Sequence, residues 1–390
     1  MKTILLRSWI LVLALASAAG CGDDGKNGGD GAADATDGDG RDLAEDADVP
    51  RDDGEDVAVE DAPLDVPAED IPAEEDAPVE REWRILLTAE DEGIFSLILF
   101  GGELFAGTYG QPYVYRRSGA DWSRQDFDCE SVYDFEAYDG ALWHLTEQEG
   151  AVRRLEADGT WTLILDAPDP WVNGHALQAF DGSLFATVSY FGSDPPGGNW
   201  TRTYRIDGTA WELDYESESR CKNLVAHEGT LYAACYCRNC SPTYARLMRR
   251  NGPGSWEVIA ELPEALAFEP AASFGGYVYL GAEIDGASSR IYRWSEGGGF
   301  EPALADAGVP AIYELAVIDG QLYASCGAEW RTQGDAVLLR SPDGTTWETV
   351  HVFTGEAEGW AVTGGGGDLY LGTRIQDGHG HVWGWLPVTP

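Results

Sequence analysis

Few residues in this 390-residue chain have the type and spacing that chemistry demands, and the cysteines come first. Cys129, Cys221, Cys235, Cys237, Cys240 and Cys326 form a group, while a seventh, Cys21, stands apart near the start. Six cysteines in an exported chain favour disulfides over thiol chemistry. Fifteen pairings are open, with Cys221–Cys235 and Cys237–Cys240 as plausible local ones. The sharper alternative is a zinc site from Cys221, Cys235, Cys237 and Cys240, which oxidising surroundings and the lack of two Cys-x-x-Cys units disfavour. His379-Gly-His381 offers two imidazoles without a located third ligand and reads as a solvated loop, so neither a metal nor a cofactor is expected. No Gly-x-Ser-x-Gly elbow, phosphate loop or His-Glu-x-x-His helix occurs. Catalytic residues therefore stay unassigned. Carboxylates such as Glu90, Asp166, Glu216, Asp306 and Glu358 lie in connecting segments, so a paired-carboxylate site remains open. The aromatic residues Tyr113, Trp171, Phe191, Tyr236 and Trp330 fall in similar segments and are the binding-face candidates.

These residues need a scaffold, and a repeat supplies it. A Gly-x-(Leu/Val)-aromatic phrase recurs at Gly102, Gly140, Gly182, Gly229, Gly276, Gly320 and Gly367, at steps of 38 to 47 residues. That period belongs to propeller blades. In each repeat an inner strand is expected before the glycine turn: Leu97 to Phe100, Asp134 to Tyr138, Leu177 to Phe180, Leu224 to His227 and Leu315 to Ile318. A second strand rich in Leu and aromatics follows the turn, as suits burial between neighbouring sheets. A third strand ends in arginine, and a fourth opens on Trp122, Trp161, Trp211, Trp256, Phe300 or Trp347. The repeated arginines, Arg116, Arg154, Arg205, Arg250, Arg293 and Arg340, are expected to stack over those aromatics in a structural role.

The seventh repeat lacks a fourth strand, whereas Glu82 to Leu87 matches Thr160 to Leu165 with no first three strands before it. Pairing the two ends closes the circle and leaves fewer sheet edges exposed. The fold class is thus all-β, a seven-bladed β-propeller over residues 81–390 closed by an N-terminal strand. Its short turns mark a structural face. The longer, unequal loops, with all six cysteines, mark a variable face where binding belongs.

The first eighty residues differ. Lys2 and Arg7 precede an apolar run from Trp9 to Ala16, too short to span a bilayer, and small residues lead to Cys21. Residues 1–20 read as a signal peptide. Residues 21–80 read as a disordered acidic tether: from Gly22 to Glu80 there are 23 acidic and 3 basic side chains and no aromatic. The propeller region still carries 45 acidic against 20 basic side chains, which argues against nucleic acid as a partner.

Two resemblances add to this reading. Ala18-Ala19-Gly20-Cys21 resembles the lipobox of bacterial lipoproteins, which implies lipidation of Cys21 and membrane attachment. With Gly22 following, the same resemblance implies the outer membrane. Ser341-Pro-Asp-Gly-Thr-Thr-Trp347 resembles the Asp-box of sialidase-like propellers, one residue short of the usual spacing, and the repeats resemble degenerate Asp-box or kelch-like units. That resemblance implies a fold. The arginine triad and tyrosine–glutamate pair of a sialidase are not identifiable in the chain.

The expectation is therefore an envelope-anchored, non-enzymatic binding or scaffold lipoprotein that presents its propeller to a protein or glycan ligand. The alternative is a carbohydrate-active enzyme, a glycoside hydrolase or a lyase, with its site on the variable loop face.

Overall fold

The computed structural model describes residues 79–90, 93–127, 131–167, 172–190, 201–237, 243–375 and 378–388. The segments expected to be a signal peptide and a tether, up to residue 78 and with Cys21, and also Cys129, Trp171, Phe191 and Cys240, lie outside the described residues.

Every regular element among the described residues is a β-strand, and the strands are numbered β1 to β28 in chain order. They pair antiparallel in sets of four. The first set runs β2 (Gly93–Phe100), β3 (Glu103–Tyr109), β4 (Tyr113–Ser118) and β5 (Asp121–Asp126). Four more separate sheets begin at β6 (Val132–Tyr138), β10 (Val172–Phe180), β14 (Arg220–His227) and β18 (Ala267–Phe274). The remaining strands form one eight-stranded sheet. In it, the group from β22 (Ala311–Ile318) to β25 (Glu348–Phe353) meets the group from β26 (Glu356–Gly365) to β28 (Gly380–Pro387) through one residue pair, Gly327 with Glu358.

β1 (Arg81–Ala89) pairs with β28 and places Trp83 opposite Trp385. The two ends of the described chain therefore share a sheet, as the match of Trp83 to the repeat tryptophans implied. Side chains reinforce the join. The Arg81 guanidinium donates to Asp368 at 2.7 Å, and the Trp122 indole N–H donates to the Leu86 carbonyl at 2.9 Å.

The repeated glycine marks a tight hairpin. At all seven positions both central residues have positive φ, for example 49° at Asp139 and 70° at Gly140, or 48° at Asp319 and 73° at Gly320. This is the type I′ geometry whose twist suits a two-residue hairpin, and glycine adopts its second position without steric cost.

The core lies between successive sets. Phe105 and Val114 of the first pack on Val132, Phe135 and Leu142 of the second, and equivalent clusters continue along the chain. A further cluster brings Ile94, Leu97 and Leu104 of the first set against Tyr370, Val382 and Leu386 of the last. Second strands fill both interfaces, which is why they lack polar alternation. Each large apolar side chain buried there contributes about 1.5–3 kcal/mol.

The repeated arginines are structural, with a change from expectation. Four of them lie over rings of second strands, as Arg116 over Phe105 at 5.7 Å, Arg154 over Trp143 at 5.7 Å, Arg293 over Tyr277 at 4.5 Å and Arg250 over Phe185 at 4.9 Å. The fourth-strand aromatics pack elsewhere, and the arginines reach to carboxylates, as in Arg293–Glu301 at 2.7 Å. Such half-exposed pairs contribute at most about 1 kcal/mol. Arg250–Asp214 differs, since both side chains are buried and Asp214 also accepts the Trp256 indole N–H at 2.9 Å.

Candidate functional site

The inner strands have a feature that none of their neighbours repeats so regularly. On β2, β6, β10, β14, β18, β22 and β26 the register with the second strand slips, and the slip leaves Phe95, Tyr133, His175, Lys222, Glu269, Tyr313 and Trp360 out of the ladder. On β18 the slip is two residues long and includes Pro270, which has no N–H to give to a ladder. A bulge turns a side chain away from the regular alternation. Here all seven turn into one place, because every one of them lines a cavity of about 500 Å³ and also a smaller chamber of about 150 Å³.

The ring has two arcs of different chemistry. Trp360 and Phe95 lie 3.9 Å apart between centroids, and Tyr133 meets Phe95 edge-on at 5.0 Å, which makes an aromatic wall. Gly93 permits this packing, since a Cβ there would come within 2.5 Å of the Trp360 ring. The other arc is ionisable. His175 stands edge-on to Tyr133 at 5.7 Å, and Lys222 forms an ion pair with Glu269. The Tyr313 hydroxyl donates to the Ala328 carbonyl at 2.5 Å.

Electrostatics sets the protonation states. Burial, aided by the Arg220 and Lys222 charges, holds His175 well below the ordinary imidazole range, so the ring is neutral near pH 7. Burial is also the largest influence on Lys222 and opposes its charge. The Glu269 carboxylate and then the Tyr133 hydroxyl outweigh it, and the ammonium pKa lies above its usual value. Burial pushes the Tyr133 phenol up to about 12, keeping its proton in place.

A deeper layer holds the inner strands together. Asp134 accepts the Leu177 N–H at 2.7 Å, Glu136 the Ala179 N–H at 3.0 Å and Glu314 the Val362 N–H at 2.6 Å, in each case from the next inner strand. Burial raises these three carboxyl groups to about 8, 7 and 8. Loops that follow second strands build the cavity mouth and contribute Glu147, Asp285, Glu329 and Trp330, while Arg220 begins β14.

The residues singled out from sequence fall unevenly around this site. Trp330 lines the cavity. Tyr236 sits beneath Arg220 at 5.8 Å, and Tyr113 packs at the first interface beneath Arg124 at 4.2 Å, so neither is part of the lining. Cys221 and Cys235 form a disulfide across a register pair of β14 and its partner strand, next to Lys222, and this removes both from the zinc alternative. Cys237 is disulfide-bonded as well. Cys326 requires a correction: its thiol is free and fully buried in an apolar cluster, directed at the Ala324 carbonyl, where no other described cysteine reaches it. His381 is tied through Nδ1 to Glu356 at 2.7 Å. Among the described residues no three His, Cys, Asp or Glu side chains gather as metal ligands.

No protein-family model matches the sequence, and no curated protein matches it. Solved structures do. A streptogramin B lyase superposes with a TM-score of 0.60 at 14% identity, over 79% of this chain and 98% of that one. A catalytically inactive histidine-to-alanine variant of virginiamycin B lyase from Staphylococcus aureus, solved with quinupristin, gives 0.61 at 12% identity, over 79% of this chain and 100% of that one. The fold is a β-propeller. At such identities the likeness carries the fold alone. The expectation of a non-enzymatic scaffold is corrected to this extent: the solved structures that share the fold are lyases, so the alternative reading is the one taken forward.

The sequence reading missed all seven residues of the ring. Their signal was available: each ring residue stands seven positions before the repeated turn glycine, from Phe95 before Gly102 to Trp360 before Gly367.

Proposed function

We propose that the chain is a lyase whose reaction takes place against the bulge ring. One observation carries the reading: His175, Lys222 and Tyr133, a neutral base, a fixed cation and a protonated phenol, project from neighbouring inner strands into a single cavity. Such a set suits β-elimination from a carbon next to a carbonyl. His175 takes the proton from that carbon, and the electron pair left behind becomes a carbon–carbon double bond. The bond from the adjacent carbon to a leaving oxygen breaks, and the Tyr133 hydroxyl supplies the proton that this oxygen needs. Lys222 and Arg220 stabilise the negative charge that develops on the carbonyl oxygen.

Elimination fits better than glycoside hydrolysis. A glycosidase needs two available carboxyl groups across the substrate. Asp134, Glu136 and Glu314 are engaged by backbone amides and Glu269 by Lys222, and the remaining acids of the cavity, Glu147, Glu283, Asp285 and Glu329, come from the ends of second strands and the loops after them rather than from the bulge ring. The lyase neighbours support the same class of reaction without fixing a substrate.

We read the sets of four strands as seven blades spanning 81–390, with β1 as the outer strand of the last. We read residues 1–80 as an export signal and an acidic tether anchored by lipid on Cys21, in the outer membrane. Cys21→Ser is then expected to move the protein from the membrane fraction to the soluble one, and unchanged retention argues against the anchor.

The reaction is tested by incubating the full-length protein with lactones, esters and uronate polysaccharides while following the absorbance of a new conjugated double bond. His175→Ala should reduce the rate about 10²–10⁴-fold with folding intact. Products that carry oxygen from labelled water and no double bond, or activity indifferent to His175→Ala, overturn the proposal.

A further inference from the structure

The bulge ring does not account for Trp330. This indole lies in the loop before the third strand of its set and is 43% exposed, yet it is firmly held. It stacks on Trp360 with centroids 5.2 Å apart and planes 16° from parallel, and Tyr109 meets it edge-on at 5.1 Å. The next residue, Arg331, has φ of 61°, a conformation that residues with a Cβ seldom adopt. Its backbone N–H donates to Glu358 at 2.7 Å, and the fully buried Glu358 is fixed in turn by Arg374 at 2.5 Å. A buried ion pair therefore anchors an unusual backbone turn next to an exposed ring. Residues held in such conformations cluster at ligand sites. The Arg331 and Arg374 guanidinium groups stand 5.4 and 5.7 Å from the same ring, and Glu358 neutralises Arg374.

The cavity that Trp330 overlooks is acidic. Its lining carries Glu147, Glu269, Glu283, Asp285 and Glu329 against Arg220 and Lys222. After burial, the influences that raise the Glu283 carboxyl are Glu269, Glu329 and Asp285, so these acids are close enough to repel one another. A cation placed among them turns that repulsion into attraction. An exposed ring on the wall of a cavity that carboxylates also line is a setting in which a protonated nitrogen gains from both.

We propose that the mouth of the cavity is a subsite for a ring-bearing amine, with a flat ring stacked on Trp330 and an ammonium among Glu283, Asp285 and Glu329. This rests on the reading of the cavity as the reactive site and names the class of substrate it takes. Arg374 and Glu358 act as positioning residues for Trp330.

The test is calorimetric binding to the full-length protein at low salt, with tryptamine, indole and indole-3-acetate as probes that share a ring and differ in charge. Tryptamine is expected to bind about tenfold more tightly than indole, and indole-3-acetate more weakly than either. Trp330→Ala should weaken tryptamine about fivefold or more, with Trp330→Phe restoring most of the loss. Glu283→Gln combined with Asp285→Asn should abolish the preference for tryptamine while leaving indole unchanged. Binding of indole-3-acetate as tight as that of tryptamine, a preference that survives the double substitution, or no binding of any probe overturns the subsite. The elimination reaction is read from product formation and the subsite from probe binding in the Trp330 and Glu283/Asp285 variants, so failure of the one and failure of the other are distinguished.

Discussion

Lys222 and Glu269 form an ion pair inside the channel although 47 residues separate them and each stands outside its own β-ladder. Neither side chain has another opposite charge as close in the cavity lining, and both are more buried than the arginine–carboxylate pairs of the outer strands typically are. Removing one partner should therefore cost more than removing both. Glu269→Leu is expected to lower the unfolding free energy by about 2–3 kcal/mol, and adding Lys222→Met should recover most of it. Urea denaturation of the four proteins measures the coupling; strictly additive losses would show that the pair contributes none.

Asp134, Glu136 and Glu314 give stability an inverse dependence on pH. Their folded pKa values, about 8, 7 and 8, exceed the roughly 4 of an unfolded chain, so between those limits the folded state holds protons that the unfolded state has lost. Stability from these groups is complete below about pH 4 and is lost as pH rises through 7 to 8, with a slope of about 1.4 kcal/mol per pH unit for each group. The urea midpoint is expected to be higher at pH 5 than at pH 8.5. Asp134→Asn should flatten the dependence, and a midpoint that rises with pH would contradict the assignment.

β1 carries the join between the chain ends. Trp83 packs on Phe353 and Trp385, Leu86 receives the Trp122 indole, and Arg81 holds Asp368. Trp83→Ala should cost about 2–3 kcal/mol, less than the 3–5 kcal/mol typical of a fully buried tryptophan. Deleting residues 81–89 should expose the edge of β28 and produce aggregation, whereas deleting residues 22–70 should leave the melting temperature unchanged. Equal effects of the two deletions in thermal melts would remove the special role assigned to β1.

Thiol labelling separates the cysteines. In the native protein without reductant, Cys326 is expected to resist alkylation because burial raises its thiol pKa far above the ordinary range and closes access to it. Denaturant alone should expose it, while Cys221 and Cys235 require reductant as well. Peptide mapping reads the outcome, and rapid labelling of native Cys326 would count against its burial.

Much of the scaffold was legible in the residues alone. The Gly-centred phrase carries its own geometry, since two successive positive φ angles select Asp-Gly and Gly-Gly, and the buried second strands write themselves as Leu and aromatic runs. The pairing of β1 with β28 was legible too, because Trp83 stands where a fourth-strand tryptophan was missing. The site was not legible in the same way. The inner strands expected from sequence began at Leu97, Asp134, Leu177, Leu224 and Leu315, one or two residues after the bulges. A two-residue alternation cannot be followed across a bulge, because the extra residue inverts every side chain before it. Phe95, Tyr133, His175, Lys222 and Tyr313 were thus left in what looked like connecting loop. Single residues from seven distant segments acquire a common meaning only when closed sheets aim them into one cavity, and that convergence, with the Lys222–Glu269 pair and the neutral His175 it creates, was decided by the tertiary structure.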